Sequence, residues 1–299
     1  MTTDARTTAE QRDAFDRDGV VKLARVLGPD WLEPLGDYAD RELANPDNLG
    51  VDTNPGGRRD RNFTSRYNWR REPILQRLIS ESPLPQIAAE LMGSTAARFY
   101  FDHLLVKEPG TSDPTPWHQD IPYWPFLGSQ ICSIWVSLSS ATIEESSLEF
   151  VRASHRANTY YAPATFSPEP NWMNEFVGEP CPDIDADRAA YDIVGFDVEP
   201  GDALVFSAWM LHGAPGNAGT HRRAAVSTRW LGDDATWAPH PGSDPIVTQD
   251  DVTLAFGDHP DDDEVFPVGW PRIAGTAAEG SASDEAERGR PRSPRRGSP

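Results

Sequence analysis

Between Ala97 and Leu231 the chain changes character, and this change restricts its fold more than any other feature. Ala97 to Val106 is rich in β-branched and aromatic residues, as is Ile131 to Leu138. Leu148 to Val151 alternates between apolar and polar residues, as a half-buried strand does. Asp192 to Val198 and Ala203 to Phe206 flank the turn Glu199-Pro200-Gly201-Asp202, and Ala224 to Leu231 completes the set. The residues before Ala97 read differently. Thr8 to Asp18 is a capped amphipathic helix stopped by Gly19. Val20 to Leu23 is a short strand, and Asp30 to Ala44 is a second helix with an apolar stripe. Asn45 to Asp60 is a loop, and Glu72 to Met92 holds one or two helices broken near Pro83 and Pro85. Short strands in series behind N-terminal helices predict a mainly β sandwich or barrel flanked by helices.

Within the β-rich part, Trp117-His118-Gln119-Asp120 offers an imidazole and a carboxylate two positions apart. Side chains alternate along an extended segment, so the two would share a side. The pair alone also suits an ordinary hydrogen bond. His212 lies far downstream, after the apolar run Leu204-Val205-Phe206, at an expected strand end facing the mouth of the sandwich. Two histidines and one carboxylate form the ligand set of non-haem Fe(II) oxygenases. Arg223 follows the loop Pro215 to Gly219 and is expected on the adjacent antiparallel strand, pointing into the same cavity. A guanidinium there would bind a carboxylate in two-pronged fashion. A dicarboxylate co-substrate explains the set, with its 2-oxo acid end on iron and its far end on the arginine. The competing reading of Arg223 is a surface residue paired with one of many acids, a role Arg222 suits better.

Net charge argues against some partners. With 299 residues and a formal charge of −20, the chain is poorly suited to nucleic acid or an anionic membrane surface. Two cysteines are too few for a disulfide framework. Met1 to Gln11 lacks an apolar signal region, and no apolar run approaches bilayer length, so a cytoplasmic protein is expected. One domain is expected over residues 1–272, with a helical part at about 8–92 and a β core at about 97–232. Residues 273–299, rich in Ser, Gly, Pro and Arg, are expected to be disordered.

In order, these motifs resemble the phytanoyl-CoA dioxygenase family of Fe(II)- and 2-oxoglutarate-dependent oxygenases. The resemblance rests on Trp117-His118-Gln119-Asp120 with Tyr123-Trp124-Pro125-Phe126, on Trp135, and on Leu148-Glu149-Phe150-Val151 leading to Ser154-His155. It continues through Pro200-Gly201-Asp202, Leu211-His212-Gly213 and Arg223, and runs from about Phe15 to about Asp234. It implies a double-stranded β-helix, the cupin-like jelly roll. It implies His118, Asp120 and His212 as iron ligands and catalytic residues, and Arg223 as the anchor of the distal carboxylate of 2-oxoglutarate. Trp135 and His103 would line the co-substrate pocket, and Tyr123 and Trp124 would shape a substrate pocket.

The implied reaction is oxidative decarboxylation of 2-oxoglutarate by O₂ to succinate and CO₂, coupled to hydroxylation of a small-molecule metabolite, with ascorbate as a reductant. Related halogenases replace the carboxylate ligand by a small residue, so Asp120 favours oxygen insertion over halogenation. Two departures stand out. Ala214 occupies the place where some relatives carry a co-substrate hydroxyl, and Arg152-Ala153 replaces the usual Pro-Gly. Lys107 reads as a solvated strand end. Two other classes remain at this level: a zinc-dependent hydrolase using the same His-x-Asp…His set, which leaves Arg223 without a role, and a non-catalytic jelly-roll binding protein.

Overall fold

The computed structural model describes residues 6–47, 49–52, 60–163 and 178–272. The disorder expected for residues 273–299 lies outside the described residues. The N-terminal helices form where their end signals place them. Helix α1 (Ala9–Asp18) starts at a reciprocal capping box between Thr8 and Gln11 and ends at Gly19, whose φ of 81° is left-handed. Strand β1 (Val20–Leu23) follows, then α2 (Pro29–Ala44), which begins with proline in its first turn. The chain then forms the short strands β2 (Val51–Asp52) and β3 (Asn62–Arg66), the first of them inside the segment expected to be loop. Helices α3 (Pro73–Ser80) and α4 (Leu84–Met92) are separate, with the break just before α4 and Pro85 in its first turn.

The β part comprises β4 (Ala97–Lys107), β5 (Thr115–His118), β6 (Phe126–Leu127), β7 (Ile131–Ser137) and β8 (Glu149–Val151). After these come β9 (Ile193–Gly195), β10 (Ala203–Ser207), β11 (His212–Ala214), β12 (Arg223–Leu231), β13 (Thr236–Trp237) and β14 (Val268–Trp270). Among the described residues, eight strands make one sheet in the order β1-β10-β7-β12-β4-β3-β2, with β14 also on β4. Four more form a second sheet, β5-β11-β8-β9. The two sheets face each other across Trp135, Leu204, Phe206 and Ala225 from the large sheet and Phe150 and Ala214 from the small one. Two facing antiparallel sheets flanked by N-terminal helices are the expected jelly roll.

The large sheet is covered on both faces, so β7, β10 and β12 are buried along their whole length. Leu35, Tyr38, Leu75 and Leu84 of the helices pack on Ile134, Val136, Val205, Val226 and Trp230. The alternate residues of the same strands point into the jelly roll. Along β12, Ala224, Val226 and Trp230 face the helices, while Arg223, Ala225, Ser227 and Arg229 fall on the inner side by the two-residue period. Opposite the span Thr228 to Trp230, β4 carries one extra residue between Phe99 and Asp102. This bulge lets Phe99 stay with the helices while Phe101 joins an inner aromatic cluster with Trp124 and Phe126.

The turn before β10 needs its glycine. Gly201 has φ of 89°, and its carbonyl accepts from the amides of Val26 and Leu27. A Cβ there would overlap the Leu27 carbonyl oxygen. Gly201→Ala is therefore expected to cost about 3 kcal/mol, the upper end for a strained backbone position. Urea denaturation would measure this, and a loss below about 0.5 kcal/mol, the range of an ordinary surface change, would contradict it.

Candidate active site

Strand pairing brings the two histidines together. β11 pairs antiparallel with β5, and His212 is the direct cross-strand partner of His118. Directly opposed residues have neighbouring side chains, and the ring centroids lie 4.2 Å apart. Asp120 sits two residues beyond the end of the strand, with helical backbone angles at the start of the 3-10 turn Ile121–Tyr123. The same-side alternation expected for His118 and Asp120 is therefore not what aligns them. Backbone bonds from Asp120 and Ile121 to the Ala208 carbonyl fold the loop back on β10. Gln119 ties it down further by donating to the carbonyls of Thr159 and Trp209.

The result is a buried three-residue group whose ligand atoms all lie within 4.8 Å of one another. Asp120 Oδ1 is 3.8 Å from His118 Nε2 and 4.0 Å from His212 Nε2. His118 Nδ1 is 2.7 Å from the Pro116 carbonyl, and His212 Nδ1 is 3.0 Å from that of Met210. A carbonyl only accepts, so each Nδ1 carries the proton and each Nε2 presents a lone pair inward. Metal-binding imidazoles are oriented in this way. Burial, with His212 beside it, pushes His118 down to about 3, and burial also lowers His212. Burial alone would raise the Asp120 carboxyl. The Arg229 charge, the two neighbouring imidazoles and the Ser133 hydroxyl outweigh it and hold the group below its ordinary value. Two neutral imidazoles and one carboxylate with converging lone pairs suit a divalent metal and fit poorly with any other use of this buried space.

Arg223 is not on the strand adjacent to His212. It opens β12 in the large sheet, whereas His212 opens β11 in the small one. It reaches the same interior from the facing sheet, with its guanidinium 5.9 Å from the Trp135 ring. Trp135 is itself buried, in the cluster that includes Phe150 and Phe206, and those two rings contact His212. Arg223 is 3% exposed, its Nε has no hydrogen-bond partner, and among the described residues no carboxylate pairs with it. Arg222 takes the surface role, pairing with Asp40 and Glu108.

Lys107 is not solvated. It is 1% exposed and is the cross-strand partner of Arg223. Its Nζ donates to the Pro215 carbonyl, and burial with the Arg223 charge alongside pushes its pKa down to about 6. The buried Arg223 guanidinium beside the Lys107 amine suits an anion, which would offset the desolvation of the guanidinium and favour the charged amine. The Ser146 hydroxyl stands 3.5 Å from the Arg223 guanidinium, so a hydroxyl is present although Ala214 supplies none.

The remaining expected residues are scattered around the triad. His103 is on the inner side of β4 with an unpartnered buried Nε2; burial and the Arg229 and Arg66 charges keep it neutral. The Tyr123 ring meets His118 edge-on at 5.8 Å. Trp124 is buried against Tyr100, Phe101 and Arg229. Ser133 and Arg229 were not singled out from the sequence. Their signal was the placement of polar residues at inner positions of strands that are otherwise apolar.

The family model for phytanoyl-CoA dioxygenase (PhyH) matches residues 15–225. The ectoine dioxygenase of Sphingopyxis alaskensis is 26% identical over 75% of this chain and 75% of its own. Among solved structures, the non-heme alpha ketoglutarate dependent carbocyclase SnoK of nogalamycin biosynthesis aligns with a TM-score of 0.66 and 21% identity over 88% of this chain and 96% of its own. EctD from S. alaskensis, with 2-oxoglutarate and 5-hydroxyectoine, gives 0.65 and 22% over 86% and 88%. At that identity the structures speak to the fold, which they share. The match over most of the chain, together with the jelly roll, shows that this protein belongs to the phytanoyl-CoA dioxygenase family of Fe(II)- and 2-oxoglutarate-dependent oxygenases.

Proposed function

We propose that His118, Asp120 and His212 hold the iron of a dioxygenase that hydroxylates a small-molecule metabolite. The reading rests on one observation above all: two Nε2 atoms and one carboxylate oxygen converge in buried space, while Arg223, buried beside Lys107 in the facing sheet, forms no ion pair among the described residues. When bound, Fe(II) with 2-oxoglutarate and O₂ supplies the oxidising chemistry, and the protein supplies position and exclusion of water. Backbone carbonyls orient both imidazoles before metal arrives. Arg223 and Lys107 take the distal carboxylate of 2-oxoglutarate, with Trp135 as the wall beneath the guanidinium and His103 as a neutral lining group. Tyr123, against the outer edge of His118, borders the substrate.

One domain over residues 1–272 performs this, since β14 near its end pairs with β4 in the sheet that also holds β1. No described helix is long and apolar enough to cross a membrane. A panel of small metabolites scored by succinate release, with ¹⁸O₂ as the oxidant, tests the hydroxylation reading. A product 18 mass units heavier than its substrate, carrying one ¹⁸O atom, supports it, and succinate-coupled turnover without oxygen in the product overturns it.

Lys107 gives the co-substrate site a pH signature. With its pKa near 6 the amine is neutral at pH 8 in the free protein. A bound carboxylate favours the charged form, so binding takes up a proton at pH values above about 6. Affinity for 2-oxoglutarate is then expected to fall with rising pH above about 6, by up to about tenfold per pH unit. Calorimetry at pH 8 in buffers of different ionisation enthalpy measures the uptake. Zero uptake in the wild type, or equal uptake in Lys107→Met, would contradict this role.

A further inference from the structure

The two oxygens of Asp120 have different surroundings. Oδ1 faces the two histidine Nε2 atoms. Oδ2 accepts from the Ser133 hydroxyl at 2.6 Å and lies 3.5 Å from Arg229 Nε. Ser133 and Arg229 are direct cross-strand partners on β7 and β12, so their side chains emerge together from the large sheet. They reach across the jelly roll to an aspartate on the loop that follows the small sheet. Arg229 is locked in place. Its guanidinium lies 5.3 Å from the Phe101 ring and 5.6 Å from that of Trp124, and its Nη1 donates to Ser227 on the same strand. It is 5% exposed, and Nε has no hydrogen-bond partner within normal range.

We infer that Arg229 and Ser133 are positioning residues that hold Asp120 Oδ2 and leave Oδ1 alone to bind iron. This rests on the metal assignment made above. A carboxylate free to rotate can offer both oxygens to a metal and occupy an extra coordination position. Here one oxygen is turned away toward a hydroxyl donor and a guanidinium, both fixed on rigid strands. One-oxygen ligation keeps a further position open for co-substrate or O₂. The guanidinium also balances the charge of a carboxylate buried far from water. Asp120 thus meets the large sheet on one side and the histidines of the small sheet on the other, and the two sheets share the task of shaping the site.

Anaerobic Fe(II) titration of the wild type, R229M, R229K, S133A and H118A, with EPR of the ferrous nitrosyl adduct, tests this. R229M is expected to bind Fe(II) about 10–100-fold more weakly, the usual cost of losing an outer partner of a metal ligand, and to show a changed line shape. R229K, which keeps charge and a donor, should regain most of that loss, and S133A should shift affinity in the same direction as R229M. The metal-free melting temperature of R229M is expected to fall, because the buried Asp120 carboxylate loses its counter-charge, and that of R229K to fall less. Wild-type affinity and line shape in R229M and S133A would overturn the inference, as would a loss in R229M that R229K does not reduce. If R229M fails to fold, S133A decides: weakened binding supports the inference and wild-type binding overturns it. Retained iron in H118A would instead defeat the metal assignment, which separates the two failures.

Discussion

His118→Ala is expected to remove substrate-dependent succinate formation, by at least about 100-fold, and to remove high-affinity iron with it. The lower bound follows from the 10–100-fold cost of losing even an outer partner of a metal ligand; His118 is expected to contact the metal itself. Its Nε2 is one of the three converging atoms, and its cross-strand partner is another. The fold should persist, because His118 ends a short strand whose neighbours Trp117 and Ile121 carry the packing. Iron content per chain, with a metal-dependent rise in melting temperature in the wild type alone, checks the assignment. Full iron loading with wild-type turnover in the variant would refute it.

The second large effect is on the facing sheet. Arg223→Ala should weaken 2-oxoglutarate by about 3 kcal/mol, or at least about 100-fold, because it strands a buried carboxylate beside a single cation. Iron affinity should change little, since Arg223 belongs to the other sheet and touches none of the three ligands. Arg223→Lys should recover part of the affinity but lose the two-pronged geometry. The measurements are the KM for 2-oxoglutarate and the Fe(II) dissociation constant, taken on the same preparations. Equal losses in both would point to collapse of the pocket rather than to a lost anchor.

Local signals made much of the fold legible. Thr8, Gln11 and Gly19 mark both ends of α1, and the proline-rich break before Leu84 separates α3 from α4. The alternation of Leu148 to Val151 and the turn at Gly201 locate strands for the same reason: each pattern is read within a few residues. β2 is an edge strand of two residues with too little pattern to read, and β3, Asn62-Phe63-Thr64-Ser65-Arg66, carries a single apolar residue and so shows no alternation. The site was less legible, because its geometry depends on register between distant strands. His118 and His212 meet only through the β5–β11 pairing, and the Asp120 turn is set by bonds to Ala208. The sequence places Arg223 on the strand next to His212, whereas the loop from Pro215 to Gly219 carries the chain across to the other sheet. Lys107 reads as a solvated strand end, and Arg229 carries no local signal, because a lone cation in a sequence is normally at the surface. What distinguishes them is their position on the inner face of a strand covered on both sides, and that cover depends on helices far away in sequence.

The central claim is that this chain couples iron, 2-oxoglutarate and O₂ through His118, Asp120, His212 and Arg223. Anaerobic addition of 2-oxoglutarate to the Fe(II)-loaded protein, followed by a measured pulse of O₂ with substrate, tests it most directly. A visible charge-transfer band should appear before O₂, be absent in H118A and require far more 2-oxoglutarate in R223A, and each O₂ consumed should yield one succinate. Absence of the band in the wild type, or turnover supported by zinc without O₂, would contradict the account.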